Sequence, residues 1–364
     1  MGREKKIEYL DGLRGFFCLV VLIQHYMMVF FPSIRIMLFN DGNLAVMYFL
    51  FLSGFVMYLS VLKKQPSVQC FRDFFEKVMN FMARRYFRLL PIILVAIMTS
   101  YLIYIGGGYF IGEIVSKYNY TTLTKYVLND GIGIGKSIFD GFFGAFFYRP
   151  LLDTPLWTIH YEFWGIVLLY ALSIIIYNKP YKIWIYTGLA FITFIVFHDV
   201  NVLAMIMGVI ISDLYFAIEK SEKKIWIIVD KIIHKKINLF FYIIVLIVIY
   251  GISMFGVYPS YCRLLFIVLL FIMLEQNQGN AVTKLLENKW IITFSEYSFA
   301  IYAFHWIIIC SFSSWFVTNC SSTMGYIGAT VIGFILTVLI TLFYSVLISS
   351  MVDYKKRKLT PKRH

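Results

Sequence analysis

The feature that most constrains this chain is a recurrence of apolar runs long enough to cross a lipid bilayer. A hydrocarbon core about 30 Å thick needs roughly 17–25 apolar residues in a helix. Such runs lie near 13–31, 44–62, 89–106, 158–177, 183–198, 201–218, 238–256, 261–275, 296–316 and 326–350. The runs at 183–198 and 261–275 are short, so the expected number is about ten. None alternates with a period of two, which excludes membrane strands. Only 15% of the residues are charged and the mean hydropathy is +0.76, whereas a soluble domain carries about 25% charge. A soluble enzyme, a disordered chain and a small disulfide scaffold are therefore excluded. The expected fold is an all-α integral membrane protein.

The net charge of +13 would suggest nucleic acid in a soluble protein, but its distribution points elsewhere. If the N-terminus lies inside, 27 of the 33 Lys and Arg residues fall on the cytoplasmic side. That bias orients a multi-pass membrane protein with both termini cytoplasmic. It also turns the basic tail after the last span, Lys355-Lys356-Arg357-Lys358, into an anchor for anionic membrane lipids, with no nucleic-acid partner expected. Residues 1–352 then form one transmembrane domain and 353–364 a basic cytoplasmic tail. The first span has a basic start, but no small-residue cleavage site follows it, so it reads as an uncleaved span. Residues 68–88 read as a basic amphipathic helix running into the third span, and 219–237 as a similar cytoplasmic helix. The outer segment 106–157 is the one long loop, rich in Gly, Tyr and Phe. Its apolar part, 138–148, is too short to span, and the loop is a candidate substrate lid.

Ionisable side chains within spans are costly and usually face an interior cavity. The first span carries Asp11, Arg14, Gln24 and His25. Arg14 and His25 are eleven positions apart, so they share a helix face about 16 Å apart along the axis. That spacing sets a cation at the cytoplasmic edge and a proton-transfer group towards the outside. Arg14 can equally be a snorkelling boundary residue, and His25 a satisfied interhelical partner. Arg84-Arg85-Tyr86-Phe87-Arg88 precedes Pro91 at the inner end of span three; such guanidiniums either clamp phosphates or simply anchor the helix. Glu162 follows Trp157-Thr158 about one turn into span four, at a depth comparable with His25, where a carboxylate could orient a histidine. Ser53-Gly54 in span two reads first as a close helix contact. Asp213, and His305 with Tyr302, are either polar glue or cavity residues. The five Cys show no metal or redox spacing. Cys262 and Cys320 both fall near the outer face, where a disulfide is open to them. No metal ligand set is expected.

Taken in order, these pieces resemble the acyltransferase-3 family of bacterial membrane acyltransferases. Tyr9-Leu10-Asp11-Gly12-Leu13-Arg14-Gly15 followed by His25 is similar to the family's N-terminal signature. Ser53-Gly54-Phe55 resembles its second-span motif, Arg85-x-x-Arg88 with Pro91 its paired-arginine motif, and Trp157-Thr158 with Glu162 its Trp-Thr-x-x-x-Glu motif. Tyr297-Ser298 with Tyr302 and His305 resembles the pattern of its late span. The resemblance covers roughly residues 7–310. It departs from the family at Ile159-His160-Tyr161, bulkier than the small polar residues expected there, and in the lack of a soluble hydrolase-like extension.

The resemblance implies transfer of an acyl group, most often acetyl, from acetyl-CoA as co-substrate to a hydroxyl of a cell-envelope glycan, a lipid-linked saccharide or a related acceptor. It implies His25 as the catalytic residue, Glu162 as its helper, and Arg14, Arg85 and Arg88 in donor binding, with Asp11, Ser53, Trp157, Tyr302 and His305 in support. No bound cofactor is implied. The rival class is a proton-coupled transporter or flippase of a glycan or acidic solute, because intramembrane His, Glu, Asp and Arg also suit proton relays.

Overall fold

The computed structural model describes residues 8–34, 39, 41–128, 131–219, 239–254, 256, 258–276 and 278–359. Among the described residues there are helices and turns and no strands. Among the described residues, eight helices are long and apolar enough to cross a membrane, and two shorter apolar helices lie at Lys182–Phe197 and Ile243–Ser253. All ten coincide with expected spans. The expected short run at 261–275 belongs to a full-length helix, Pro259–Gln276, and the expected run at 238–256 is helical over Leu239–Met254 of its described residues. The expected helix at 219–237 lies outside the described residues apart from Glu219, as do the basic residues before Glu8.

The principal helices are α1 (Glu8–Phe30), α2 (Gly42–Lys64), α3 (Phe71–Ile105), α4 (Ile111–Tyr118), α5 (Thr158–Ile176) and α6 (Lys182–Ile192). They continue with α7 (Val200–Glu219), α8 (Leu239–Met254), α9 (Pro259–Gln276), α10 (Ser298–Ile308), α11 (Ser314–Met324) and α12 (Tyr326–Leu359). The amphipathic segment and the third span are one continuous helix, α3, with Pro91 inside it. The long segment 106–157 is not an open loop. It folds into short helices at Ile111–Tyr118 and Thr121–Tyr126 and an unbroken helical stretch over 134–147 with a π segment at Asp140–Gly144. Asn119 ends α4 in the left-handed conformation, φ 53°, and returns its N–H to the Val115 carbonyl, a helix stop that lets the chain reverse.

The helices gather into two compact units. The first comprises Met1–Leu10, Asn43–Arg84 and Tyr161–Asn288. Its centre is the approach of α2 to α7. A Cβ at Gly54 would lie 2.1 Å from the Met205 carbonyl oxygen, and one at Gly208 the same distance from that of Phe51. Only hydrogen fits at both crossing points, the device by which apolar helices pack tightly where water gives no driving force. Phe55 packs on Phe271 of α9 with ring centroids 4.9 Å apart, and Phe81 stacks on Tyr170 at 3.9 Å. Asp213 pairs with Lys182 at 2.5 Å, so this intramembrane carboxylate is polar glue between α7 and α6. Tyr9 donates to Glu275 at 2.5 Å.

The second unit comprises Asp11–Gly42, Arg85–His160 and Lys289–His364. A five-residue π turn, Ile309–Ser313, joins α10 to α11. Such a turn disrupts the usual carbonyl pairing, and the Cys310 carbonyl accepts from the Phe110 N–H at 2.9 Å. This ties the start of α4 to the late helices. Tyr26, Phe30, Ile111, Ile114, Leu123, Trp306 and Ile309 form a buried core around the joint. The α12 helix has two faces. Thr337 shares a hydrogen bond with Ser313 at 2.6 Å, while Ile327, Val331, Ile335, Leu339, Phe343 and Leu347 stand exposed at intervals of four. A regular apolar stripe exposed over six turns is a lipid-facing surface. The backbone of 353–359 continues this helix. Among the described residues the structure holds no disulfide.

Candidate active site

Two histidines meet in the second unit. His305 Nε2 lies 3.0 Å from His25 Nδ1, with ring centroids 4.9 Å apart. Their other partners fix the protons. His305 Nδ1 faces the Tyr302 carbonyl at 2.7 Å and the Ile301 carbonyl at 3.2 Å. A carbonyl only accepts, so His305 Nδ1 carries hydrogen and, in the neutral ring, Nε2 is left with a lone pair. His25 Nδ1 must then be the donor, shared between His305 Nε2 and the Val21 carbonyl at 3.0 Å. His25 Nε2 is thereby assigned as the unprotonated nitrogen.

Each contact comes from local helix geometry. Val21 and Tyr302 lie one turn before His25 and three residues before His305, where a side chain leaning towards the helix N-terminus reaches a carbonyl. Trp306 closes one side, its ring edge-on to His25 at 5.4 Å. His25 is half-buried and His305 is fully buried. Behind them, the Tyr302 hydroxyl donates to the Pro155 carbonyl and therefore accepts from Thr158 Oγ1, at 2.8 Å. The Trp-Thr motif and the late-span motif are thus joined at one oxygen.

Arg14 pairs with Asp11 at 3.3 Å, with 35% of its side chain exposed. It lies on the same unbroken helix as His25, so the spacing of about 16 Å holds. Arg85 and Arg88 stand three residues apart on α3, half-buried and exposed respectively. Trp157 is half-buried at the start of α5. In the first unit, Ser53 Oγ donates to Glu162 at 2.9 Å. Ser53 therefore has a polar partner besides its place in the close helix contact. Among the described residues no three His, Cys, Asp or Glu side chains gather as a metal-holding group.

Sequence reasoning missed what lies beyond Trp306. A cavity of about 560 Å³ opens within segment 106–157, with Trp306 and Leu152 in its wall. Trp306 also packs edge-on against Tyr126 at 5.0 Å. The Gly, Tyr and Phe richness of the loop was visible in the sequence; its folding over a late-span tryptophan was not. Nearby, Asp153 is fully buried and neither carboxyl oxygen has a hydrogen-bond partner among the described residues. Burial pushes this carboxyl well above the usual carboxylate range.

A family model for the acyltransferase-3 domain, described as an acyltransferase domain, matches residues 7–348. The chain belongs to the acyltransferase-3 family. The match covers nearly the whole length, so the two units together, rather than a segment of either, constitute this membrane acyltransferase. No curated protein and no solved structure matches the chain.

Proposed function

We propose that this membrane acyltransferase transfers an acetyl group from cytoplasmic acetyl-CoA to a hydroxyl of a cell-envelope glycan or lipid-linked saccharide, across the plasma (inner) membrane. The observation that carries the chemistry is the fixed tautomer of His25, whose Nε2 lone pair is free of the two contacts that hold Nδ1. A general base needs such a lone pair within reach of the acceptor hydroxyl.

In the transfer, His25 Nε2 takes the hydroxyl proton as the acceptor oxygen bonds to the thioester carbonyl carbon. The carbon–sulfur bond breaks, the sulfur leaves as thiolate, and His25 returns the proton to it. While His25 is cationic, its Nδ1–H bond to His305 becomes charge-assisted and stronger. His305 is thus a positioning residue that also spreads the developing charge. Arg14, Arg85 and Arg88 supply the phosphate-binding groups for CoA, a cytoplasmic polyanion whose long arm must reach towards His25. Arg14, about 16 Å from His25 along α1, suits a donor whose charge and thioester lie at opposite ends.

The test is reconstitution of purified protein with radiolabelled acetyl-CoA, following thioester cleavage and labelled saccharide. His25→Ala should abolish both. Full acylation in that variant would overturn the proposal, and solute uptake without CoA consumption would establish a transporter instead.

A further inference from the structure

We propose that the cavity beyond Trp306 is the acceptor site and that it selects an acidic saccharide, one carrying a carboxylate or phosphate besides the hydroxyl to be acylated. This rests on the reading of His25 as the transfer base. Trp306 packs on His25 on one side and on Tyr126 on the other. A ligand against the cavity wall is therefore one side chain away from the imidazole.

The lining decides the ligand class. Among the described lining residues three are cationic, Lys125, Lys136 and Arg149, and none is acidic. Lys136 is already neutralised by Asp140 at 2.8 Å. The other two converge on one ring. Lys125 Nζ lies 5.0 Å from the centroid of Tyr126 and Arg149 Cζ lies 5.9 Å from it. Both are exposed, and neither has a carboxylate partner among the described residues. Two cations on the rim of one cavity, neither offset by a carboxylate there, give that rim a positive potential that favours an anionic ligand. The guanidinium offers a bidentate fork to a carboxylate or phosphate. The aromatic wall of Tyr109, Tyr126 and Trp306 offers flat apolar surface to the C–H faces of a sugar ring. An apolar and aromatic wall with a few placed polar groups is the usual build of a small-ligand site, and about 560 Å³ falls within the common size range.

The full-length protein in nanodiscs can be titrated calorimetrically with hyaluronan tetrasaccharide, which carries two carboxylates, and with uncharged N-acetylchitotetraose. The acidic tetrasaccharide should bind at least tenfold more tightly. Lys125→Met combined with Arg149→Met should reduce that preference below threefold, while the charge-conserving pair Lys125→Arg and Arg149→Lys should retain it. Equal affinities, no binding of either saccharide, or a preference that survives loss of both charges would overturn the proposal. So would inorganic phosphate displacing the acidic tetrasaccharide at equal concentration, because the cavity would then recognise an anion without its sugar. Failure of the underlying reading shows independently, as thioester cleavage that persists in His25→Ala whatever the saccharides do.

Discussion

The Nε2 atom of His305 accepts a hydrogen bond from Nδ1 of His25 across 3.0 Å, so the protonation state of one late-span residue dictates which nitrogen of the first-span histidine is free. If His305 were protonated at Nε2, the bond would be lost and the His25 tautomer released. The pair couples two helices far apart in sequence through a single proton.

His305 can be separated from a residue that merely packs. His305→Ala should lower kcat by about 10²–10⁴-fold, the usual contribution of a correctly presented acid–base group, and leave the acetyl-CoA KM within about twofold. His305→Gln keeps an acceptor for the His25 N–H and should recover at least about tenfold of that loss. Equal activity of the two variants would remove the positioning role.

The donor assignment predicts a different kinetic signature. Arg85→Ala and Arg88→Ala each remove a charge-assisted contact, worth about 1.5–3 kcal/mol. Steady-state assays should show the acetyl-CoA KM rising by about tenfold or more, with kcat changing little. Raising ionic strength should shrink the difference between wild type and variants, because screening weakens the same contacts. An unchanged KM would take these residues out of the donor site.

The crossing of α2 and α7 gives a stability test. The Cβ of Gly208→Ala would meet the Phe51 carbonyl oxygen at 2.1 Å, and backbone cannot step aside as a side-chain end can. Overpacking of this kind costs about 1–3 kcal/mol. Thermal unfolding in detergent should therefore show a clear fall in Tm, whereas Gly188→Ala, where a Cβ would meet nothing within 4 Å, should leave Tm nearly unchanged. Equal Tm values for the two would refute the close crossing.

Asp153 sets a pH dependence. Its carboxyl is raised by burial in the folded state and has an ordinary value near 3.8 when unfolded. Below that value both states hold the proton and stability is unaffected. As pH rises above it, the unfolded chain releases the proton and the folded chain keeps it, so stability falls until the folded carboxyl itself ionises. Asp153→Asn is neutral throughout and removes this slope. Its stability advantage over wild type, read as a rise in Tm, should grow as the pH is raised from about 5 towards neutrality, by up to about 1.4 kcal/mol per pH unit. A Tm difference that stays constant across that range would mean that Asp153 is already ionised in the fold.

The helical architecture was legible because a bilayer demands long apolar runs, and run length alone could place all ten. The spacing of Arg14 and His25 was equally legible, since both lie on one helix and the pitch alone sets their relation. The meeting of His25 with His305 was not, because 280 residues separate them and no local pattern encodes which helices adjoin. The same holds for Ser53 and Glu162, 109 residues apart. Asp213 was left open between glue and cavity because its partner, Lys182, reads in sequence as an ordinary loop cation. Segment 106–157 read as a loop because its helices are each too short for a strong apolar period, and their order comes from packing on Trp306 and Cys310.

The exposed stripe on α12 has a mechanical consequence. Its apolar stretch, Tyr326–Val352, has 27 residues and extends about 40 Å, against a hydrocarbon thickness near 30 Å. The surplus must be absorbed by leaning the rod or stretching nearby lipid. This rod lies along α10, which holds His305, so the lean imposed by lipid tails reaches the imidazole pair. Turnover is therefore expected to vary with phospholipid chain length, which vesicles of thin and thick bilayers would report as different rates.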